Sequence, residues 1–308
     1  MGKHGILAPS ASIYKSALAF TSPAAEGIIS LDLPPDLPRR HPLAVWDLNP
    51  ILLKLGPLQL RYYGVCFVIA LLGGFYLMRK QLIRGGRDSE TAEKFLLPAV
   101  IAVVVGARVG HVLFYEFDRF MADPLYMIYF WRGGLASHGA TVGLLITLWW
   151  YSRHIKMPLL EVSDRFSFSV AWAAAWVRIG NLTNSEIVGR VTNVPWGVKF
   201  PRYDIGVPLA QVPVRHPSQL YEAAGAFVLL FILLLADKLM GGEKRPTGAL
   251  AALCLIGYFS GRFIVEFVKE YQTLGASSPL TMGQILSLPF ILLGVLVLVF
   301  SFGRRIRG

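Results

Sequence analysis

Charge is scarce in this chain, and its distribution says more than its amount. Only 16% of the 308 residues are Asp, Glu, Lys or Arg, against 54% hydrophobic residues and a mean hydropathy of +0.52. That balance excludes an ordinary soluble domain and places the chain in a membrane. Cysteine is nearly absent. Cys66 and Cys254 are the only two, and both fall within apolar stretches, so each reads as a small buried apolar residue rather than part of a disulfide framework or metal site. The chain has no phosphate-binding loop, no internal repeat and no low-complexity tract. No aspartate falls within an unambiguous span interior, so chemistry needing carboxylates clustered around Mg2+ has no support, and neither a metal nor a cofactor is expected.

What is present is apolar length. Candidate spans run over roughly 61–79, 95–115, 138–152, 165–181, 217–238, 248–268 and 283–302, several at or near the ~20 residues a helix needs to cross a bilayer. The expected fold is therefore an all-α polytopic membrane protein with about seven transmembrane helices. The formal charge of +11 does not point to nucleic acid, because it is topological. The connections at 79–94, 151–165 and 238–246 and the tail from 303 hold 14 Lys and Arg, whereas those at 115–137, 181–216 and 269–282 hold 7. The positive-inside rule makes the first set cytoplasmic, with the N-terminus outside and the C-terminus inside. Six further basic residues up to Arg61 weigh the other way without reversing the bias.

Residues 1–44 carry scattered Pro, Ser and Ala without a sustained period and read as a flexible extension, leaving 45–308 as the membrane domain. From Trp46, a short apolar stretch broken by Pro50 and Pro57 suits a segment lying on the outer surface. The connection at 181–216, with four prolines and Trp196, Phe200 and Tyr203, reads as a compact non-helical periplasmic cap.

Three of the thirty basic residues, Arg108, Arg178 and Arg262, fall inside long apolar stretches. A guanidinium in hydrocarbon costs about 2.5–3.5 kcal/mol on insertion scales, so it faces a protein interior or a water-filled cavity and has a partner. Arg108 and Arg262 lie roughly 10 Å below the outer boundary by helical rise, and Arg178 ends the fourth span on the same side. Tyr63, His138, Glu222 and Gln284 open spans on that side too, which points to a buried anion site in the outer leaflet. Each residue also has a structural reading. Arg262, Glu266 and Tyr258 share one helix face and could form an internal pair. Arg108 and His111 are flanked by Gly106 and Gly110, whose spacing often marks close helix packing. His138, among Gly134, Gly139 and Gly143, could be a hydrogen-bonded structural histidine or a base. The run from Arg178 to Arg190, RIGNLTNSEIVGR, gathers two cations, Asn181, Asn184, Ser185 and Glu186 where a span leaves the membrane, a donor set suited to phosphate and glycerol.

At this run the chain resembles the prolipoprotein diacylglyceryl transferases, bacterial inner-membrane enzymes. The resemblance extends from about Trp46 to about Arg305 through LRYYG, GARVGHVLFY, GGLASHGATVG, RIGNLTNSEIVGR, RHPSQLYEA, YFSGRFIVEF and SPLTMGQILS. The family pattern has glycine where this chain has Val177, and Phe-Ile-Asn-Gly where it has Leu182, Thr183, Asn184 and Ser185. The resemblance implies transfer of sn-1,2-diacylglyceryl from phosphatidylglycerol to the lipobox cysteine of prolipoprotein signal peptides, in the periplasmic leaflet and without a cofactor. It implies Arg178 and Arg262 as headgroup and leaving-group ligands and His138 as the base. Tyr63, Asn181 and Glu266 are implied as orienters, while Arg108, Asn184, Glu186, Gly189 and Tyr258 complete the expected substrate-binding set. A transporter for an anionic metabolite or lipid would also carry intramembrane arginines, but should show inverted repeats or paired broken helices.

Overall fold

The computed structural model describes residues 44–56, 58–129, 134, 136–270 and 278–307. The expected N-terminal extension, apart from Ala44, lies outside the described residues, as does half of the 269–282 connection. Among the described residues, seven helices of 17 residues or longer follow one another: α1 (Tyr62–Arg84), α2 (Leu96–Tyr115), α3 (Ser137–His154), α4 (Leu159–Thr183), α5 (Ser218–Leu239), α6 (Ala249–Val265) and α7 (Met282–Arg307). Their ends are set by familiar local chemistry. Gly85 and Gly86 stop α1, whose last turn carries Arg84 against the helix dipole. Proline precedes α4 and α5, and a left-handed Gly248 precedes α6.

Five of these helices, α1, α2, α5, α6 and α7, are long and apolar enough to cross a membrane. The expected third and fourth spans, α3 and α4, reach 18 and 25 residues but not that apolarity. In α4 the cause is its two ends, which carry Glu161, Asp164 and Arg165 on one side and Arg178 and Asn181 on the other.

Helix α1 runs along α4 at close range. Ser169 donates to the Gly74 carbonyl at 2.6 Å and the Trp172 indole to the Ile69 carbonyl at 3.0 Å, while a methyl at Gly73 would collide with that indole. Helices α2 and α3 form a second close pair. A methyl at Gly139 would strike the Gly106 carbonyl, and one at Gly143 the Ala102 carbonyl, so the glycines of the His138 motif admit another backbone. One apolar cluster joins α4, α5 and α6 through Phe168, Ala171, Leu229, Leu233, Leu250 and Cys254. Another, including Met78, Phe95, Tyr151 and Val162, ties the α2–α3 pair to α1 and α4. Both cysteines are buried and unpaired.

Where α1 and α5 end and α4 and α6 begin, seven charged side chains meet. Arg84 grips Asp237 with two bonds, of 2.5 and 3.0 Å, and reaches Glu243 at 2.6 Å. Arg165 contacts Glu161 and Glu243, each at 2.6 Å, and Arg245 lies 3.1 Å from Glu161 and 3.5 Å from Asp237. Asp164, with none of its surface exposed, accepts the Gly248 and Ala251 amides that open α6. Asp164 and Asp237 are buried members of helix ends, and arginines and helix amides satisfy them.

The segment after Trp46 is a β-hairpin, β2 (Ile51–Leu55) against β3 (Leu58–Arg61), with Leu52, Leu53, Leu55 and Leu60 exposed. The connection between α4 and α5 is non-helical, as expected. Its β4 (Val198–Lys199) lies between β1 (Ala44–Val45) and β5 (Val214–Arg215). Arg215 ties it together, pairing with Asp204 at 2.8 Å and Glu270 at 2.6 Å. Beneath it Leu182, Val188 and Phe200 pack with Trp46, whose indole donates to the Leu182 carbonyl.

Candidate active site

The signature run folds back on itself at the end of α4. Asn181, still helical, receives the Arg178 guanidinium on its Oδ1 at 3.2 Å and donates its Nδ2 to Glu186 at 2.7 Å. Asn184 donates to the same carboxylate oxygen at 3.4 Å. Ser218 and Gln219, at the start of α5, donate to the Ile187 and Glu186 carbonyls, each at 2.7 Å, and Arg190 donates to the Lys269 carbonyl at 2.8 Å. Gly189 sits where three segments cross, because a methyl there would meet His216 and the Val268 carbonyl. Ser185 and Ile187 both take the left-handed conformation, φ 53° and 57°. Ser185 is where the family pattern has glycine, which adopts that conformation without strain.

From Arg178 a chain of opposite charges leads to Arg262. The Arg178 Nε lies 3.1 Å from Glu222, and Glu222 lies 3.5 Å from the Lys269 ammonium. Lys269 is 2.9 Å from Glu266, which accepts from Thr281 at 2.9 Å and stands 4.0 Å from Arg262. Lys269 is 4% exposed and Glu266 7%, so these charges are satisfied by one another rather than by water. The two arginines differ in engagement. Arg178 keeps 14% of its side-chain surface and is held on two sides, whereas Arg262 keeps 29%. Among the described residues Arg262 donates no side-chain hydrogen bond. Tyr63 packs against Gly180, and Tyr258 stands edge-on to Phe259 while bordering the α4–α5–α6 cluster.

The remaining expected residues form a second group. Arg108, 4% exposed, donates to the carbonyls of Tyr126, Met127 and Gly134 at 2.6, 3.1 and 3.3 Å and lies over the Tyr126 ring. Its donors hold the backbone that leads to α3. His138 is exposed beside Phe114 and Tyr115. With His111, Tyr115, Ala136 and Ser137 it lines an open pocket of about 370 Å3. His111 lies 3.2 Å from Glu116, which also accepts from Tyr126 and Arg119, both at 2.7 Å. Burial alone would raise the Glu116 carboxyl, but the Tyr126 hydroxyl, Arg119 and His111 together hold it below the usual carboxylate range. Among the described residues no hydrogen bond or ion pair joins His138 to Arg178 or Arg262. Among the described residues the expected polar groups thus fall into two sets by their contacts, and an open pocket lies against the histidines.

The family model described as prolipoprotein diacylglyceryl transferase matches residues 50–300. The chain belongs to that family. Similar proteins named phosphatidylglycerol–prolipoprotein diacylglyceryl transferase occur in Vibrio cholerae and Pseudoalteromonas atlantica. They are 40% identical to it over 262 and 265 residues, spanning 84% of this chain and 93% and 91% of theirs. The Tolumonas auensis relative is 38% identical over 264 residues, 85% of this chain and 99% of its own.

Within this prolipoprotein diacylglyceryl transferase family member, sequence reasoning passed over Lys269 and treated Glu222 only as a polar residue opening a span. Each carried a signal. Glu222 is a carboxylate in the first turns of an apolar helix, which needs a cation. Lys269 is the only basic residue of its connection and lies three positions after Glu266, within pairing distance on a helical turn.

Proposed function

We propose that this chain transfers the sn-1,2-diacylglyceryl group of phosphatidylglycerol to the lipobox cysteine thiol of prolipoproteins, forming a thioether and releasing glycerol phosphate. This is the first step of bacterial lipoprotein maturation. The observation that carries the reading is the charge chain from Arg178 to Arg262, which fixes one guanidinium and leaves the fork of the other open. The bond that breaks joins the diacylglyceryl carbon to a phosphate oxygen. A phosphodiester becomes a phosphate monoester, so negative charge grows on the leaving group as the thiol sulfur bonds to carbon. A planar guanidinium that donates no side-chain hydrogen bond among the described residues suits that growing charge. Arg178, held by Asn181 and Glu222, supplies a second positive charge in fixed orientation. Tyr63, Asn181, Glu186 and Glu266 position these two cations, and Arg108 holds the segment that carries His138.

The thiol must lose its proton, since a free cysteine near pKa 8.5 is only a few per cent thiolate at neutral pH. His138 is the base in this reading, supported by its exposed imidazole in an open pocket beside His111. The enzyme spans the inner membrane seven times, with the N-terminus periplasmic and the C-terminus cytoplasmic. The reacting groups face the periplasmic leaflet, where exported prolipoproteins present their cysteine.

The test is direct. Purified protein, phosphatidylglycerol liposomes and a lipobox peptide should give a peptide heavier by one diacylglyceryl group on cysteine, with no metal or nucleotide added. An unmodified peptide, a requirement for Mg2+, or equal use of phosphatidylethanolamine would overturn the reading. Anion flux in sealed vesicles without modified peptide would favour a transporter.

A further inference from the structure

A cavity of about 250 Å3 at the other end of the helices takes no part in this chemistry. It is lined by Arg87, Thr91, Lys94, His154, Ile155 and Lys156. Two connections build it, the one between α1 and α2 and the one between α3 and α4. Tyr63 at the start of α1 belongs with Arg178, and Arg87 follows the end of α1. The 23 residues of that helix put roughly 34 Å between the two sites.

The lining is basic and contains no acid. Nearby carboxylates already have partners, two of them on the lining residues Thr91 and Lys94. Asp88 accepts the Thr91 amide and hydroxyl, at 2.6 and 3.1 Å, and Glu93 accepts from Ser89 at 2.8 Å. Glu90 pairs with Lys94 at 3.0 Å on the exposed rim. Arg87 and Lys156 make no ion pair and no side-chain hydrogen bond among the described residues. Arg87 is half-buried and Lys156 exposed, so both stay hydrated on the pocket wall with their donors free for an anion that joins them.

Two further observations say which kind of anion. Lys156 has φ 51°, just past the end of α3, where glycine is the usual residue and a lysine is strained. The side chain is therefore present for what it reaches. Exposed Trp149 and Trp150 lie just before it, with Arg153 over the first ring at 5.6 Å and His154 stacked on the second at 5.2 Å. Tryptophans beside basic residues mark the level of lipid headgroups.

We propose that this pocket binds the phosphate of an anionic phospholipid headgroup, at the membrane surface opposite the Arg178 site. Arg87 supplies the planar fork and Lys156 a point charge.

Native mass spectrometry of the full-length protein in mild detergent, titrated with dioleoyl phosphatidic acid, tests this. Phosphatidic acid should stay bound to the native chain and to Arg262→Ala. Combined on the Arg262→Ala background, which removes a headgroup contact of the site proposed above, Arg87→Ala and Lys156→Gly should weaken binding about thirtyfold, the factor expected for two lost basic contacts at a membrane surface. Lys156→Gly alone should weaken binding about fivefold without lowering the melting temperature, because glycine suits that backbone. The proposal fails if the combined variant binds as Arg262→Ala does, or if Arg262→Ala loses the lipid. It also fails if phosphatidylcholine binds equally well, or if inorganic phosphate displaces the lipid completely, which would make this a site for the free anion.

Discussion

In the proposed reaction Arg178 and Arg262 divide one task unequally, and the division sets what their variants should do. Lysine keeps the charge but not the fork. Arg262→Lys should therefore fold normally and lose about two to three orders of magnitude in turnover, the ~3–4 kcal/mol of one catalytic electrostatic contact. Arg178→Lys should lose a similar factor and some folded yield, because its bonds to Asn181 and Glu222 also hold the end of α4. Near-normal turnover of both variants, measured on the lipobox peptide, would sink the phosphate-fork assignment. Glu266→Gln is the comparison. It leaves buried Lys269 with one carboxylate instead of two, so folded yield should fall further than turnover per folded molecule. Ser185 is a different case, a residue in the left-handed region whose buried hydroxyl has no hydrogen-bond partner among the described residues. Ser185→Gly should stabilise the protein by about 1 kcal/mol, since relief of the backbone and of the unsatisfied hydroxyl outweighs glycine's extra freedom in the unfolded chain. A lower melting temperature would show that the serine is needed there.

At the level of elements, the charge network where α1, α4, α5 and α6 meet gives a pH dependence of known sign. Burial alone would raise the Glu243 carboxyl, but hydrogen bonds from Arg165 and Arg84 outweigh it and hold it below the usual carboxylate range. Because the folded value is depressed, this contribution is complete above the ordinary carboxylate pKa of about 4.3 and is lost as pH falls through the folded value. The melting temperature in detergent should drop on acidification below about pH 4, and Glu243→Gln should flatten that drop. An unchanged slope in the variant would mean that other carboxylates set it. The apolar helices were legible in the sequence, because hydropathy over some twenty residues is an average that few substitutions disturb. Helix α4 was the hard one, since half its character comes from two polar ends that pair with residues far along the chain, as Arg165 does with Glu243. The network itself was illegible for that reason. Asp237 and Arg84 are 153 positions apart, and no local pattern connects them.

For the molecule as a whole, the side on which chemistry occurs is the property most exposed to test. Thr247→Cys should be labelled by an impermeant thiol reagent only from the cytoplasm, and Ser278→Cys only from outside, given the basic bias of the connections. The reverse pattern would put the arginines in the inner leaflet. The candidate residues were readable from intramembrane charge and from the signature run, but not their grouping. Helical rise predicts a shared depth for Arg108, Arg178 and Arg262, and depth is one coordinate of three. Only the fold assigns Arg108 to the carbonyls before α3 and Arg178 to Glu222.

The network has a consequence in time as well as in space. Under the positive-inside rule Arg84, Arg165 and Arg245 are among the basic residues that would bias the proposed orientation of the chain, yet in the finished protein their charge is taken up by Asp237, Glu161 and Glu243. A helix is oriented while its flanking charges are still hydrated, and helices assemble afterwards, so the same guanidiniums serve first as signposts and then as latches. Lysine at these positions should preserve the first role and impair the second, giving a chain that is inserted the right way round but loosely closed.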